Sequence, residues 1–120
     1  MHVCTAAHYE KDDQVCTQDD STIGNLAGAH LIVYAAGPRF STDSLIVNVA
    51  QRNSDGSFSP LGATTWTGER DSWATGAPLY DDVFHDARVA PQAGITYQIT
   101  VGSGWPSLGS ATFTYQPGGR

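Results

Sequence analysis

The stretch that decides the fold is Pro91–Gln116, PQAGITYQITVGSGWPSLGSATFTYQ. Ile95, Tyr97, Ile99 and Val101 fall two apart, with Thr96, Gln98 and Thr100 between them. Successive side chains of a strand point to opposite faces, so this alternation predicts a half-buried strand. Ala111, Phe113 and Tyr115 repeat the pattern, with Thr112 and Thr114 facing the other way. Gly102, Gly104, Pro106 and Gly109 separate the two runs, and turn residues of that kind predict that the second run folds back beside the first.

Working outward, the same signals recur along the chain. Val3–Tyr9 alternates weakly and reads as a first strand, followed by a polar, exposed loop at Glu10–Asp20. Asn25–Gly28 is a turn. Ala29–Ala36 (AHLIVYAA) is a continuous apolar run of strand length and predicts a central strand, stopped by Gly37 and Pro38. Ser44–Arg52 alternates with Leu45, Val47 and Val49 on one face, and Asn53–Gly56 (NSDG) supplies a hairpin turn. Ser57–Thr67 is a weaker strand, which Pro60 places at an edge or a bulge. Gly68–Pro78 reads as the longest irregular stretch. Leu79–Val89 (LYDDVFHDARV) is read as a strand in preference to a helix; as a helix it would gather Leu79, Val83 and Phe84 on one face.

About seven strands with frequent turns predict an all-β fold, a single antiparallel β-sandwich domain over residues 1–120. Its expected core is Leu31, Val33, Leu45, Val47, Val49, Ile99, Val101 and Phe113, with Tyr97 on the face of Ile99 and Val101. No repeat of fixed period is present, which argues against a solenoid or propeller.

Ala90–Val101 (APQAGITYQITV) resembles the penultimate strand of immunoglobulin-like and fibronectin type III-like domains, and the Thr–Phe–Thr–Tyr run after it is similar to their last strand. The resemblance implies an immunoglobulin-like sandwich and a secreted accessory or binding module. It also implies that Tyr97 forms a tyrosine corner, its hydroxyl bonded to backbone a few residues upstream. The chain departs from the antibody pattern in having no tryptophan in His30–Ala36 or Ser44–Arg52.

Composition narrows the function classes. The chain carries 15% charged residues, against about 25% in an average domain. Its formal net charge is −6, with Lys11 and five arginines as the only cations apart from histidine. A nucleic acid or an anionic membrane needs a basic surface, so neither is an expected partner. The longest apolar run is far short of the about 20 residues that span a bilayer, so no membrane insertion is expected. The chain opens without a charged segment leading into an apolar one, as expected of a cytosolic protein or of a mature secreted domain. Cys4 and Cys16 tilt that choice. Their spacing matches no zinc signature, and one disulfide closing a short loop is the simplest reading, which implies an oxidising, extracellular setting.

The chemistry-bearing residues fall into three groups. His2, His8, His30 and His85 show no metal-ligand spacing. His2 near the N-terminus suggests a copper-binding amine and imidazole, which Met1 ahead of it blocks unless it is removed. The pairs Asp12–Asp13, Asp19–Asp20 and Asp81–Asp82, with Asp86 nearby, offer either a calcium site or solvated loop charge. No nucleophile motif is present, and His85 with Asp86, or Glu69 with Asp71, does not rise above chance. The chain is therefore read as non-catalytic, with no cofactor. Trp66, Trp73 and Trp105 lie outside the firmest strands, as loop aromatics that either bind a ligand or fold back to cap the core.

The expected binding surface is Trp66, Glu69, Arg70, Asp71, Trp73 and Tyr80, recognising a glycan or a protein partner. Two alternatives stay open: an inhibitor presenting Gly68–Pro78 to a secreted hydrolase, and a structural subunit assembling through strand edges.

Overall fold

The alternation in the closing stretch becomes two paired strands in a computed structural model, which describes residues 1–36, 42–70, 72–102 and 107–117, with side chains over 1–33, 45–66, 77–102 and 109–117. In chain order the strands are β1 (His2–Cys4), β2 (Tyr9–Glu10), β3 (Val15–Cys16), β4 (Thr22–Ile23) and β5 (His30–Ala36). They continue as β6 (Thr42–Arg52), β7 (Phe58–Arg70), β8 (Ser72–Pro78), β9 (Thr96–Gly102) and β10 (Ser107–Tyr115). A five-stranded sheet runs β4-β10-β9-β6-β7, a three-stranded sheet runs β1-β5-β8, and β2 and β3 form a small hairpin. The protein is all-β, and seven of its described strands have three or more residues. The large sheet is mixed, because β4 runs parallel to β10 at one edge while its other pairings are antiparallel.

Register sets the core. β9 and β10 place Tyr97 opposite Phe113 and Ile99 opposite Ala111. On the other side of β9, Val101 faces Val47 and Ile99 faces Val49. All eight expected core residues are buried, as is Tyr97. Val3, Leu31 and Val33 from the small sheet join them in one cluster, an arrangement that fits a β-sandwich. The Tyr97 hydroxyl accepts the N–H of Gln92, five residues upstream, at 2.7 Å. β5 is the middle strand of its sheet, as the apolar run predicts. β7 is an edge strand, and its ladder with β6 shifts register where Val49 faces Gly62 and Ala50 faces Pro60. A proline lacks the N–H a ladder needs, so both outcomes follow from Pro60.

Three expectations need correction. Leu79–Val89 is not a strand: Tyr80–His85 is a π-helix, entered through a helical Leu79. Leu79, Val83, Phe84 and Ala87 are all buried. That spacing suits the wide turn of a π-helix, which sets one apolar face against the core. Phe84 meets Tyr97 edge-on at 5.0 Å and Phe113 at 6.1 Å. Gly68–Pro78 is not irregular either. Its first residues extend β7, and its last seven are β8, paired with β5 from Ser72 opposite Ala36 to Pro78 opposite His30. Strand propensity there is low, and the ladder with β5 supplies the order instead. The first strand is also shorter than expected, with a 3₁₀ turn at Ala6–His8 taking its second half.

The N-terminal segment is held by three ties. Cys4 and Cys16 are disulfide-bonded with their Cα atoms 5.8 Å apart, inside the reach of a cystine. The Asp20 carboxylate accepts the Thr5 N–H at 2.8 Å and lies 2.9 Å from Nδ1 of His8. Asp20 donates its own N–H to the Val3 carbonyl. Burial works to raise the Asp20 carboxyl, but the Thr5 bonds and His8 outweigh it and hold it below the ordinary value.

Two measurements check this account. Phe113→Ala removes a side chain that is 1% exposed and should cost about 3–5 kcal/mol in urea unfolding, whereas a loss under about 1 kcal/mol would contradict the facing of β10. Because the Asp20 pKa is depressed by folding, its contribution is present above the unfolded value near 3.8 and is lost as pH falls through the folded value. Asp20→Asn should therefore lower the melting temperature at neutral pH and flatten its decline in acid.

Candidate functional site

Of the residues singled out by sequence, Trp66 and Tyr80 are brought to the place where β7 meets the Tyr80–His85 helix. Trp66 sits on β7 opposite Leu45, whose side chain is buried, so the indole is directed to the core side of the sheet. It is half-buried and packs against the core cluster. Its N–H donates to the carbonyl of Asp82 at 3.0 Å. A helix leaves its carbonyls available where the regular ladder is incomplete, and an indole N–H needs such a partner when it is drawn inward. Tyr80, two residues before Asp82, is exposed, with its ring 6.2 Å from that of His85. The fold thus ties Trp66 to the helix that carries Tyr80.

The other expected site residues are not gathered there by any described side chain. Glu69 and Arg70 end β7, with Arg70 opposite Thr42, and Trp73 lies on β8 opposite Ala35 in the other sheet. Asp71 and Trp105 lie outside the described residues. Trp66 and Trp73 are strand residues rather than loop aromatics, because the stretch between them is taken up by two ladders.

Acidic groups crowd the same helix. Burial raises the Asp82 carboxyl above its ordinary value, and the charges of Asp86 and Asp81 push it the same way. Asp86 lies 3.5 Å from Nδ1 of His85, both side chains largely exposed. At the N-terminus, His2 pairs with Asp19 at 2.9 Å beside an open cleft of about 330 Å³ that Met1, Ser110 and Thr112 also line. His30 stacks on Tyr9 at 3.7 Å, and its Nδ1 is buried with no hydrogen-bond partner. Burial lowers the His30 pKa. Among the described residues no three of His, Cys, Asp and Glu converge as metal ligands, and no helix is long and apolar enough to cross a membrane.

One feature escapes a reading by sequence pattern. The turn after the helix packs so close to β7 that a β-carbon at Gly62 would collide with the Ala87 carbonyl. Beside it lies a cleft of about 240 Å³, lined in part by Gln51, Leu61, Arg88 and Gln92. Arg88 has φ 61°, the left-handed region. Its N–H bonds to the His85 carbonyl and the Val89 N–H to the Phe84 carbonyl, the paired bonds of a Schellman turn, whose left-handed residue is most often glycine. Had Leu79–Val89 been read as a helix, the lack of a glycine after it would have marked Arg88.

Because folding raises the Asp82 pKa, ionisation of this group opposes folding: stability falls as pH rises from the unfolded value near 3.8 and stays lower above the folded one. Asp82→Asn should raise the melting temperature at neutral pH and lose that advantage near pH 2, as thermal unfolding at the two pH values would read. No protein-family model matches the chain, and no curated protein or solved structure is significantly similar to it.

Proposed function

We propose that the protein is a non-catalytic extracellular binding module, an immunoglobulin-like sandwich that meets a glycan or protein surface along the seam of β7 and the Tyr80–His85 helix. The observation that carries this reading is the pinned indole of Trp66, half-exposed with its N–H held by Asp82 at 3.0 Å. An aromatic fixed in one orientation loses little conformational entropy on binding, and its exposed part offers an apolar surface for stacking. Tyr80 adds a second aromatic, on the helix whose Asp82 carbonyl holds the indole. Glu69 and Arg70 at the end of β7 and Trp73 on β8, together with Asp71, are proposed to extend the surface. The Tyr97–Gln92 bond supports the immunoglobulin-like part of the reading, and the Cys4–Cys16 disulfide supports the extracellular part.

A second reading, assembly through the edge of the large sheet, is favoured by Phe58, Leu61 and Ile46, which are 36%, 42% and 38% exposed on β6 and β7. The inhibitor reading would present Gly68–Pro78 as strand residues of β7 and β8 rather than as a free loop.

Glycan-array binding by the native protein is the expected result. Tyr80→Ala should weaken it about tenfold or more, the effect of losing one anchoring contact of about 1.4 kcal/mol, without moving the melting temperature. An empty array together with concentration-dependent association in light scattering would replace this reading with assembly.

A further inference from the structure

We propose that the cleft beside Gly62 is a subsite for a single uronic acid in an otherwise neutral glycan, with Arg88 binding its carboxylate. The proposal rests on the glycan side of the binding-module reading and adds the chemical class of the ligand.

The first observation is where the arginine stands. The left-handed position of a Schellman turn is favourable for glycine and unfavourable for a residue with a β-carbon. The fold does not use the side chain placed there: among the described residues Arg88 makes no ion pair, and its hydrogen bond is from its backbone N–H. An exposed cation has therefore been set, against local preference, on a turn whose backbone is fixed by two hydrogen bonds. Strained backbone maintained without structural return points to a role for the side chain.

The second observation is the company it keeps. The cleft lining contains no acidic residue, in a chain of net charge −6. Guanidinium is the cation best matched to a carboxylate, since it donates two parallel hydrogen bonds. Gln51 and Gln92 each offer a carboxamide that both donates and accepts, which suits sugar hydroxyls that do the same. The backbone under Gln92 is fixed by its bond to the Tyr97 hydroxyl. Leu61, 42% exposed, supplies an apolar wall for the C–H face of a pyranose. A volume of about 240 Å³ lies below the range of drug-sized pockets and is on the scale of one sugar ring.

The third observation limits the charge density of the ligand. Asp81 and Asp82 on the helix and Asp86 just after it stand close to the turn, and the charges of Asp86 and Asp81 add to burial in raising Asp82. A polymer with a carboxylate on every unit would meet those acids, whereas one carboxylate among neutral sugars would not. Leu61 and Trp66 are five residues apart on β7, about 16 Å in a strand, so a short oligosaccharide can reach from the cleft to the pinned indole.

The test uses a glucuronosyl-xylose disaccharide, its carboxyl methyl ester and a Gly-Ser-Glu-Ser peptide, titrated against the full chain by NMR. The acid should bind, with the ester and the peptide at least tenfold weaker. Arg88→Gly should bind the acid at least tenfold more weakly while melting at or above the native temperature, so that lost binding cannot be lost folding. Arg88→Lys should fall between. Unchanged affinity in Arg88→Gly, equal binding of the ester, preference for the peptide, or no response to the acid at millimolar concentration would each overturn the subsite. If Tyr80→Ala abolishes array binding while Arg88→Gly retains it, this inference falls and the binding-module reading stands. If the disaccharide depends on Arg88 and array binding ignores Tyr80 and Trp66, the subsite stands and the seam does not.

Discussion

The contact on which the site depends is the insertion of Phe84 against Tyr97 and Phe113. The ring meets Tyr97 at 88° and Phe113 at 70°, edge-to-face geometries that aromatic pairs favour. A π-helix has little intrinsic stability, so a buried anchor is what holds this one in place. Phe84 is that anchor, at 0% exposure, and everything on the helix is positioned through it. The Asp82 carbonyl that receives Trp66 lies two residues before it, and the carbonyl of Phe84 itself receives the N–H that closes the turn carrying Arg88. Tyr97 serves both sides of the arrangement, with its ring on Phe84 and its hydroxyl on the segment bearing Gln92.

Legibility in the sequence follows from how much each segment depends on distant partners. The closing strands declare themselves because Tyr97, Ile99, Val101 and Phe113 alternate strictly, and one face has only one place to go. Pro60 announces an edge because its missing N–H excludes a central position. Leu79–Val89 is misread because its apolar residues follow neither period cleanly, and Leu79, Val83 and Phe84 fit a strand about as well as they fit a wide helical turn. β8 is missed for a different reason: Ser, Thr, Gly and Ala carry little signal, and order there comes from pairing with β5.

The site was legible as residue types and not as an arrangement. Three tryptophans in a small chain draw the eye, yet only the register with Leu45 tells which way Trp66 points. Arg88 gives no signal in a segment read as a strand, because an extended residue is not strained. Its meaning appears once the backbone turns left-handed at φ 61°. The acids behave likewise. Asp20 and Asp82 look alike in sequence, but one is surrounded by donors while the other is drawn inward without them beside two carboxylates, and their pKa values move in opposite directions.

The interruption of β7 at Pro60 also bears on how the protein survives at high concentration. An open strand of 13 residues is a template for fibril growth, since each arriving chain can extend the ladder. Here the first part of the edge lacks the proline donor, and the register shift beside Gly62 breaks the line of the strand. Stacked copies in perfect alignment are thereby disfavoured along Phe58–Leu61, where the exposed apolar side chains would otherwise promote them. A single imino acid at the edge thus makes in-register stacking along Phe58–Leu61 less favourable.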